Sequence, residues 1–296
     1  MPKTTLPTYQ IPDFEKVSVD PQEFYYSRLE KHLQTHLFIQ KPHKHDFYIL
    51  VLFGHGNGTH IIDFKSYPVT SKSMFFLAPG QVHTWTLSPD TKGHILFFSQ
   101  SFYTSIFSLA KLNSYIFFNS NLTIPLINLE VAQFNELVFS FQKIEEEISH
   151  PSWSSMDLLK SYTNILLTLS YRYYLDQNPQ LKSQTPNLNQ FQKLEKIIEE
   201  AFTVQRDVNY YATQMNMSLK QLNLFTQKKV GKPISKILIE RVILESKRLL
   251  VHSDLSVSEI AFKLQFVDPS YFSRLFKKKT SYTPEEFRLL QKSSSF

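Results

Sequence analysis

The sequence predicts an α+β protein with two domains in series, a small antiparallel barrel or sandwich followed by an all-helical domain. Three observations predict it. Residues 36–103 break into short β-branched and aromatic runs separated by turn-formers, the apolar period becomes helical from about Leu129, and one helical pattern occurs twice within residues 190–290. The chain has 296 residues, enough for about two domains, and its 42% hydrophobic and 20% charged residues are ordinary for a globular chain, so most of it is expected to fold.

In the first domain the runs are Phe47 to Phe53, His60-Ile61-Ile62-Asp63-Phe64, Met74-Phe75-Phe76-Leu77 and His94-Ile95-Leu96-Phe97-Phe98. The turn-formers between them are Gly54-His55-Gly56-Asn57-Gly58, Ala78-Pro79-Gly80 and Ser88-Pro89-Asp90. Helical spacing then places Val131, Phe134, Leu137, Val138 and Phe141 on one face. It does the same for Leu158, Leu159, Tyr162, Ile165, Leu166, Leu169 and Tyr173. That second stripe is wide, and either caps the strands or gives its outer half to a dimer seam. The polar, proline-bearing stretch 176–189 reads as a linker, which divides the chain into 1–175 and 190–296.

In the second domain Val208, Tyr211, Ala212 and Met215 are matched 49 residues later by Val257, Ile260, Ala261 and Leu264. Each set is followed by a turn and a second helix, opened by Ser218 in one copy and by Asp268 with Pro269 in the other. This is the pattern of a helix-turn-helix, with a small alanine where the helices cross. Between the copies Ile234 to Val251 reads as one helix of roughly 25 Å, which would set the two units about one DNA turn apart.

Charge agrees with a polyanionic partner. The net charge is +6, yet residues 1–190 hold 14 basic and 15 acidic side chains, and residues 191–296 hold 18 and 11. Lys220, Lys228, Lys229 and Lys232 flank the first reading helix, and Arg274, Lys277, Lys278 and Lys279 run through the second. With no cysteine, disulfides, thiolate nucleophiles, iron–sulfur clusters and Cys-based zinc sites are excluded. No apolar h-region opens the chain and no run approaches the ~20 residues that span a bilayer, so a cytoplasmic location and no membrane are expected.

The run Leu255 to Lys278, continuing to Thr283-Pro284-Glu285-Glu286-Phe287-Arg288, resembles the signature of AraC/XylS-type transcription regulators. The resemblance implies a sequence-specific DNA-binding regulator whose cupin-like N-terminal barrel, with flanking helices, binds a small-molecule effector and supports a homodimer. Its partners would be double-stranded DNA, an effector and RNA polymerase, and it would have no cofactor and no enzymatic activity. Base-reading positions of the family fall on Lys220, Asn223 and Leu224 in the first unit, with Gln221 beside them, and on Pro269, Ser270, Ser273 and Arg274 in the second, with Lys277 and Lys278 following. Leu224 departs from the arginine often found there, and suits a thymine methyl. Gln265 and Ser281 stand where the family usually has glycine, and Gln265 is expected at a positive φ in the turn.

Four histidines of the first domain invite chemistry: His43 and His45, His60, and His83. An H-x-H on a strand puts both rings on one face, as in metal-dependent cupins, but no carboxylate follows the pair and Asp46 is on the opposite face, so no metal is assigned. Packing and the polar lining of a pocket both remain open to these residues. The resemblance places effector contacts on Lys41, Trp85 and Ile95, with His43, His45, Tyr48 and His83 nearby, a set suited to a sugar or a carboxylate. Two rival readings are a metal-dependent cupin enzyme and a helical module that binds RNA or protein. No phosphate loop and no G-x-S-x-G supports catalysis.

Overall fold

A computed structural model describes residues 7–14, 20–118, 123–182 and 188–293. The chain divides into two compact units, residues 7–185 and a second unit that includes 186–296.

Among the described residues the first unit holds ten strands: β1 (Thr8–Tyr9), β2 (Phe24–Arg28), β3 (Lys44–His45), β4 (Tyr48–His55), β5 (Gly58–Ile62), β6 (Lys65–Val69), β7 (Ser73–Leu77), β8 (His83–Leu87), β9 (Lys92–Phe98) and β10 (Leu126–Asn128). They pair as a five-stranded antiparallel sheet in the order β10-β7-β4-β9-β2, a three-stranded antiparallel sheet β6-β5-β8, and a short parallel pair β1-β3. The barrel expected from the sequence is thus two sheets packed on a shared core. From the larger sheet Tyr25, Ile49, Val51, Phe53, Phe75, Leu77, Ile95 and Phe97 meet Ile62, Val69 and Trp85 of the smaller one.

The other face of the larger sheet is covered too, which explains why Phe47 to Phe53 is continuously apolar rather than alternating. Phe76 stacks on Phe117 at 3.8 Å, and the Ser170 hydroxyl donates to the Met74 sulfur at 3.5 Å. Helix α1 (Leu29–Thr35) instead packs Leu29 and Leu33 against the shared core, and the helices that follow β9 and β10 of that sheet in the chain are α2 (Gln100–Thr104), α3 (Leu109–Asn113), α4 (Val131–Ser149) and α5 (Ser155–Gln177). On α4, Leu137, Phe141 and Ile144 are buried, Phe141 stacks on His94 at 4.9 Å, and Arg28 of β2 donates to both Glu145 oxygens at 3.0 and 2.6 Å. Val131, Phe139 and Ile165 are left exposed. The expected linker at 176–189 is partly helical: α5 runs to Gln177, α6 spans Pro179–Lys182 and α7 begins at Leu188.

The second unit comprises α7 (Leu188–Ala201), α8 (Val208–Gln214), α9 (Leu219–Val230), α10 (Ile234–His252), α11 (Val257–Lys263), α12 (Pro269–Thr280) and α13 (Pro284–Ser293). Helices α8-α9 and α11-α12 are the two expected helix pairs. Ser218 caps α9 in a reciprocal capping box with Gln221, while Asp268 accepts from Ser270 and Tyr271 N–H groups to cap α12, whose first residue is Pro269. Each turn closes alike: Met217 N–H donates to Ala212 C=O at 2.9 Å and Phe266 N–H to Ala261 C=O at 2.8 Å. Asn216 (φ 53°) and Gln265 (φ 58°) take the left-handed position of this closure. The second turn then carries one extra residue, Val267, which is 97% exposed. At 19 residues, α10 is about 28 Å long.

Candidate nucleic-acid interface and buried histidine cluster

On α9 the residues Lys220, Gln221, Leu224, Gln227 and Lys228 are all exposed and lie on one face. Fifty positions on, Ser270, Tyr271, Arg274, Lys277 and Lys278 do the same on α12. Each helix begins at a capped N-terminus and ends in lysines, Lys228 and Lys229 on α9 and Lys277, Lys278 and Lys279 on α12. Such a face can neutralise phosphates at its rim and offer donors, acceptors and an apolar group to base edges at its centre. Leu224, 63% exposed in the middle of α9, has no packing reason to be apolar. Arg274 is 71% exposed and lies 3.6 Å from Asp268.

Several of the expected reading residues have contacts of their own within the domain. Asn223 is half-buried and its Oδ1 accepts from the Ile234 N–H at 3.2 Å, which ties it to the start of α10. Ser273 is half-buried, with its hydroxyl donating to Pro269 C=O at 3.0 Å, and Pro269 itself is the half-buried first residue of α12. Gln221 spends its carbonyl oxygen on the Ser218 N–H at 2.8 Å and keeps only its amide donors for a ligand. Lys232 is paired with Glu240 at 2.7 Å. Tyr271 and Val267 were not singled out by the sequence reading. Tyr271 sits one position from Ser270 on the same helical face, which the spacing alone could have shown.

In the first unit, His43, His45, His60 and His83 come together. His43 and His83 face each other across an isolated antiparallel bridge, with ring centroids 4.3 Å apart, and His83 lies 5.1 Å from His45 and 5.3 Å from His60. Trp85 pairs with His60 across β5 and β8 at 5.3 Å. Burial, reinforced by the neighbouring imidazoles, pushes His45 and His60 down to about 3 and His83 well below its usual value, so these rings are neutral at neutral pH.

Neutrality fixes the hydrogen-bond logic. His43 Nδ1–H donates to Lys41 C=O at 2.8 Å and His45 Nδ1–H to Phe47 C=O at 2.7 Å, which leaves both Nε2 atoms as acceptors. His60 Nε2 and His83 Nδ1 share one proton at 3.0 Å, so whichever donates, the outer nitrogens of the pair are one donor and one acceptor. His45 Nε2, His60 Nδ1, His83 Nε2 and Trp85 Nε1 are buried without a partner. The cluster therefore offers two donors and two acceptors and no charge. Among the described residues, no group of three or more His, Cys, Asp or Glu side chains is arranged to hold a metal ion.

Two further expectations fail here. Lys41 is exposed, contributing its carbonyl rather than a buried cation. Tyr48 points to the helix-covered face, stacking on Phe98 at 5.1 Å and meeting Phe118 at 4.8 Å, so it lies across the sheet from Ile95 and Trp85. The alternation along β4 sets this: Ile49 and Val51 take the shared core and Tyr48 the opposite face.

Two family models match the chain in order, an AraC-like ligand binding domain over residues 23–136 and a helix-turn-helix domain over residues 211–289. The chain belongs to the AraC family of transcription regulators. As an AraC-type regulator it combines an N-terminal ligand-binding domain with a C-terminal helix-turn-helix domain, and members of the family bind DNA and small-molecule effectors. It is 26% identical over 251 residues to the HTH-type transcriptional activator RhaS of Escherichia coli, covering 83% of this chain and 86% of that one. Among solved structures it is similar to ToxT of Vibrio cholerae, at 17% identity, 90% and 98% coverage and a TM-score of 0.41. It is also similar to the C-terminal domain of the response regulator yesN of Fusobacterium nucleatum, at 29% identity, 32% and 93% coverage and a TM-score of 0.31. Among the described residues, no helix is long and apolar enough to cross a membrane.

Proposed function

We propose that this AraC-type regulator works as a cytoplasmic homodimer, reads DNA with α9 and α12 of each protomer in successive major grooves, and is no enzyme. The observation that carries this is the pair of matching exposed faces, Lys220, Gln221, Leu224 and Lys228 on α9 and Ser270, Tyr271, Arg274, Lys277 and Lys278 on α12. Lysines at the ends of both helices supply affinity through phosphates. Arg274 reads a guanine edge or a phosphate once it leaves Asp268, and Leu224 meets a thymine methyl. Asn223, Pro269 and Ser273 support these helices from within.

The effector occupies the histidine cluster. His45, His60, His83 and Trp85 suit an uncharged molecule carrying hydroxyl or amide groups, with Ile95 as apolar floor, and disfavour a carboxylate because among the described residues no buried cation accompanies them. The exposed apolar residues Val131 and Phe139 of α4 and Ile165 of α5 suit a dimer seam. Effector occupancy changes which half-sites a dimer grips together, and a DNA-bound dimer then contacts RNA polymerase.

Selection of duplexes from a random pool with the full-length chain tests DNA reading. Recovery of two blocks about one helical turn apart is expected, and binding without sequence preference would refute it. For the effector, thermal-shift screening of neutral polyols, sugars and amides against simple carboxylates is expected to give hits in the neutral set, lost in His83→Phe. Hits confined to carboxylates would refute that part.

A further inference from the structure

We propose that Arg206 is a positioning residue that locks the second helix-turn-helix unit onto the first, so that α9 and α12 keep a fixed register. The inference rests on the proposed two-groove reading, and identifies what holds its spacing. Arg206 directly precedes Asp207, the N-cap of α8, so its backbone belongs to the front of the first helix pair, α8-α9. Its side chain reaches the turn of the second. The guanidinium lies 3.5 Å from the centroid of the Phe266 ring, and Nη2 donates to the Leu264 carbonyl. Leu264 and Phe266 flank Gln265, the left-handed residue that sets the angle between α11 and α12. One side chain of the first helix pair thus grips the hinge of the second pair from both sides.

The surroundings give this grip its importance. A pocket of about 200 Å³ lies between the two helix pairs here, lined by Phe202, Val208, Leu238, Val242 and Leu275 among others, so side-chain packing does not fill the junction. Among the described residues no carboxylate pairs with Arg206, and burial lowers its pKa. What recompenses its desolvation is the ring and the carbonyl of the other helix pair. The helix α10 has its own ties: Arg241 bonds Glu199 at 2.7 Å and stacks on Phe202 at 3.9 Å, and Arg288 donates to Leu250 C=O at 3.0 Å and Leu255 C=O at 2.5 Å. Those bonds fix α7 and α13 to the connecting helix. Arg206 bypasses that helix and joins the two helix pairs directly. Only a planar guanidinium can stack and donate at once, so lysine cannot replace it.

The absence of cysteine permits a clean test on the full-length chain. Gln214→Cys and Phe262→Cys put one exposed thiol on α8 and one on α11 for nitroxide labels, and pulsed dipolar spectroscopy reads their distance distribution. Arg206→Ala and Arg206→Lys are both expected to widen that distribution at least twofold while helical content stays unchanged. In parallel, inserting two base pairs between the two blocks of the selected duplex is expected to weaken the parent at least tenfold and either variant less than threefold. Should Arg206→Ala misfold, Arg206→Lys carries the test. An unchanged distribution in a folded variant would overturn the proposal. Loss of affinity in equal measure on all spacings would also overturn it, because lost stability alone does that. If selection returns a single block, the two-groove reading falls while the label distances still decide what Arg206 holds.

Discussion

Replacing Gln265 by glycine is expected to stabilise the C-terminal unit. Gln265 sits at φ 58°, where an L side chain costs roughly 1–2 kcal/mol relative to its ordinary regions. The side chain is exposed, so its removal forfeits no packing. Against the relief stands the extra freedom that glycine gives the unfolded chain, about 0.4–1 kcal/mol. The difference is a gain of about 0.5–1 kcal/mol, which for a unit of this size raises the melting midpoint by about 2–8 °C. Calorimetry of the full-length chain reads the shift directly, with urea unfolding as a second measure. Asn216→Gly, at φ 53° in the first turn, serves as the internal comparison and is expected to gain less, because asparagine tolerates this region. A Gln265→Gly chain that melts at or below the parent temperature would refute the reasoning, and would mean that the turn is held by contacts of the glutamine side chain.

Asn223→Ala is expected to lower stability by about 0.5–2 kcal/mol through loss of the acceptor at the start of α10, with relative affinities among duplexes unchanged; altered base preference in a selection would return Asn223 to the reading face. Acid is expected to destabilise the N-terminal unit. Because His45 and His60 titrate near 3 when folded and near 6.5 when unfolded, the unfolded chain binds the extra protons between these values, so stability is complete above about pH 6.5 and falls by roughly 1.4 kcal/mol per pH unit per histidine below it. Urea midpoints at pH 7.5 and 5.5 check this, and equal midpoints for that unit would contradict it. Arg241→Ala, which removes the Arg241 partner of Glu199, leaves Glu245 its bond to Arg248 and bares the Phe202 ring, is expected to cost about 2 kcal/mol by urea unfolding, less than a fully buried pair because Glu199 is half in solvent.

The helical half was more legible than the strand half, for a physical reason. Helix pairs announce themselves by spacing, caps and turn residues that are local in sequence, so Ser218, Asp268 and Pro269 fall where the pattern predicted them. The positive φ of Gln265 followed from the resemblance, which puts glycine at that place, and the turn that requires it closes on main-chain atoms. Asn223 misled because its residue type and helical position suit base reading equally well, and only the long-range bond to Ile234 reveals its task. In the strand unit, β2 was missed because Phe24-Tyr25-Tyr26 lies far upstream of the β9 strand it joins. Tyr48 misled because a sheet buried on both faces has no polar alternation to show which side a residue takes. The convergence of His45, His60 and His83 depends on strand pairing, which no local pattern encodes.

The extra residue Val267 breaks the symmetry between the two copies, since the turn before α12 is one residue longer than the turn before α9. A tandem of unequal heads has a front and a back. Under the proposed two-groove reading, flipping the target end for end hands each head the bases meant for the other, so that a single protomer on DNA would carry an arrow.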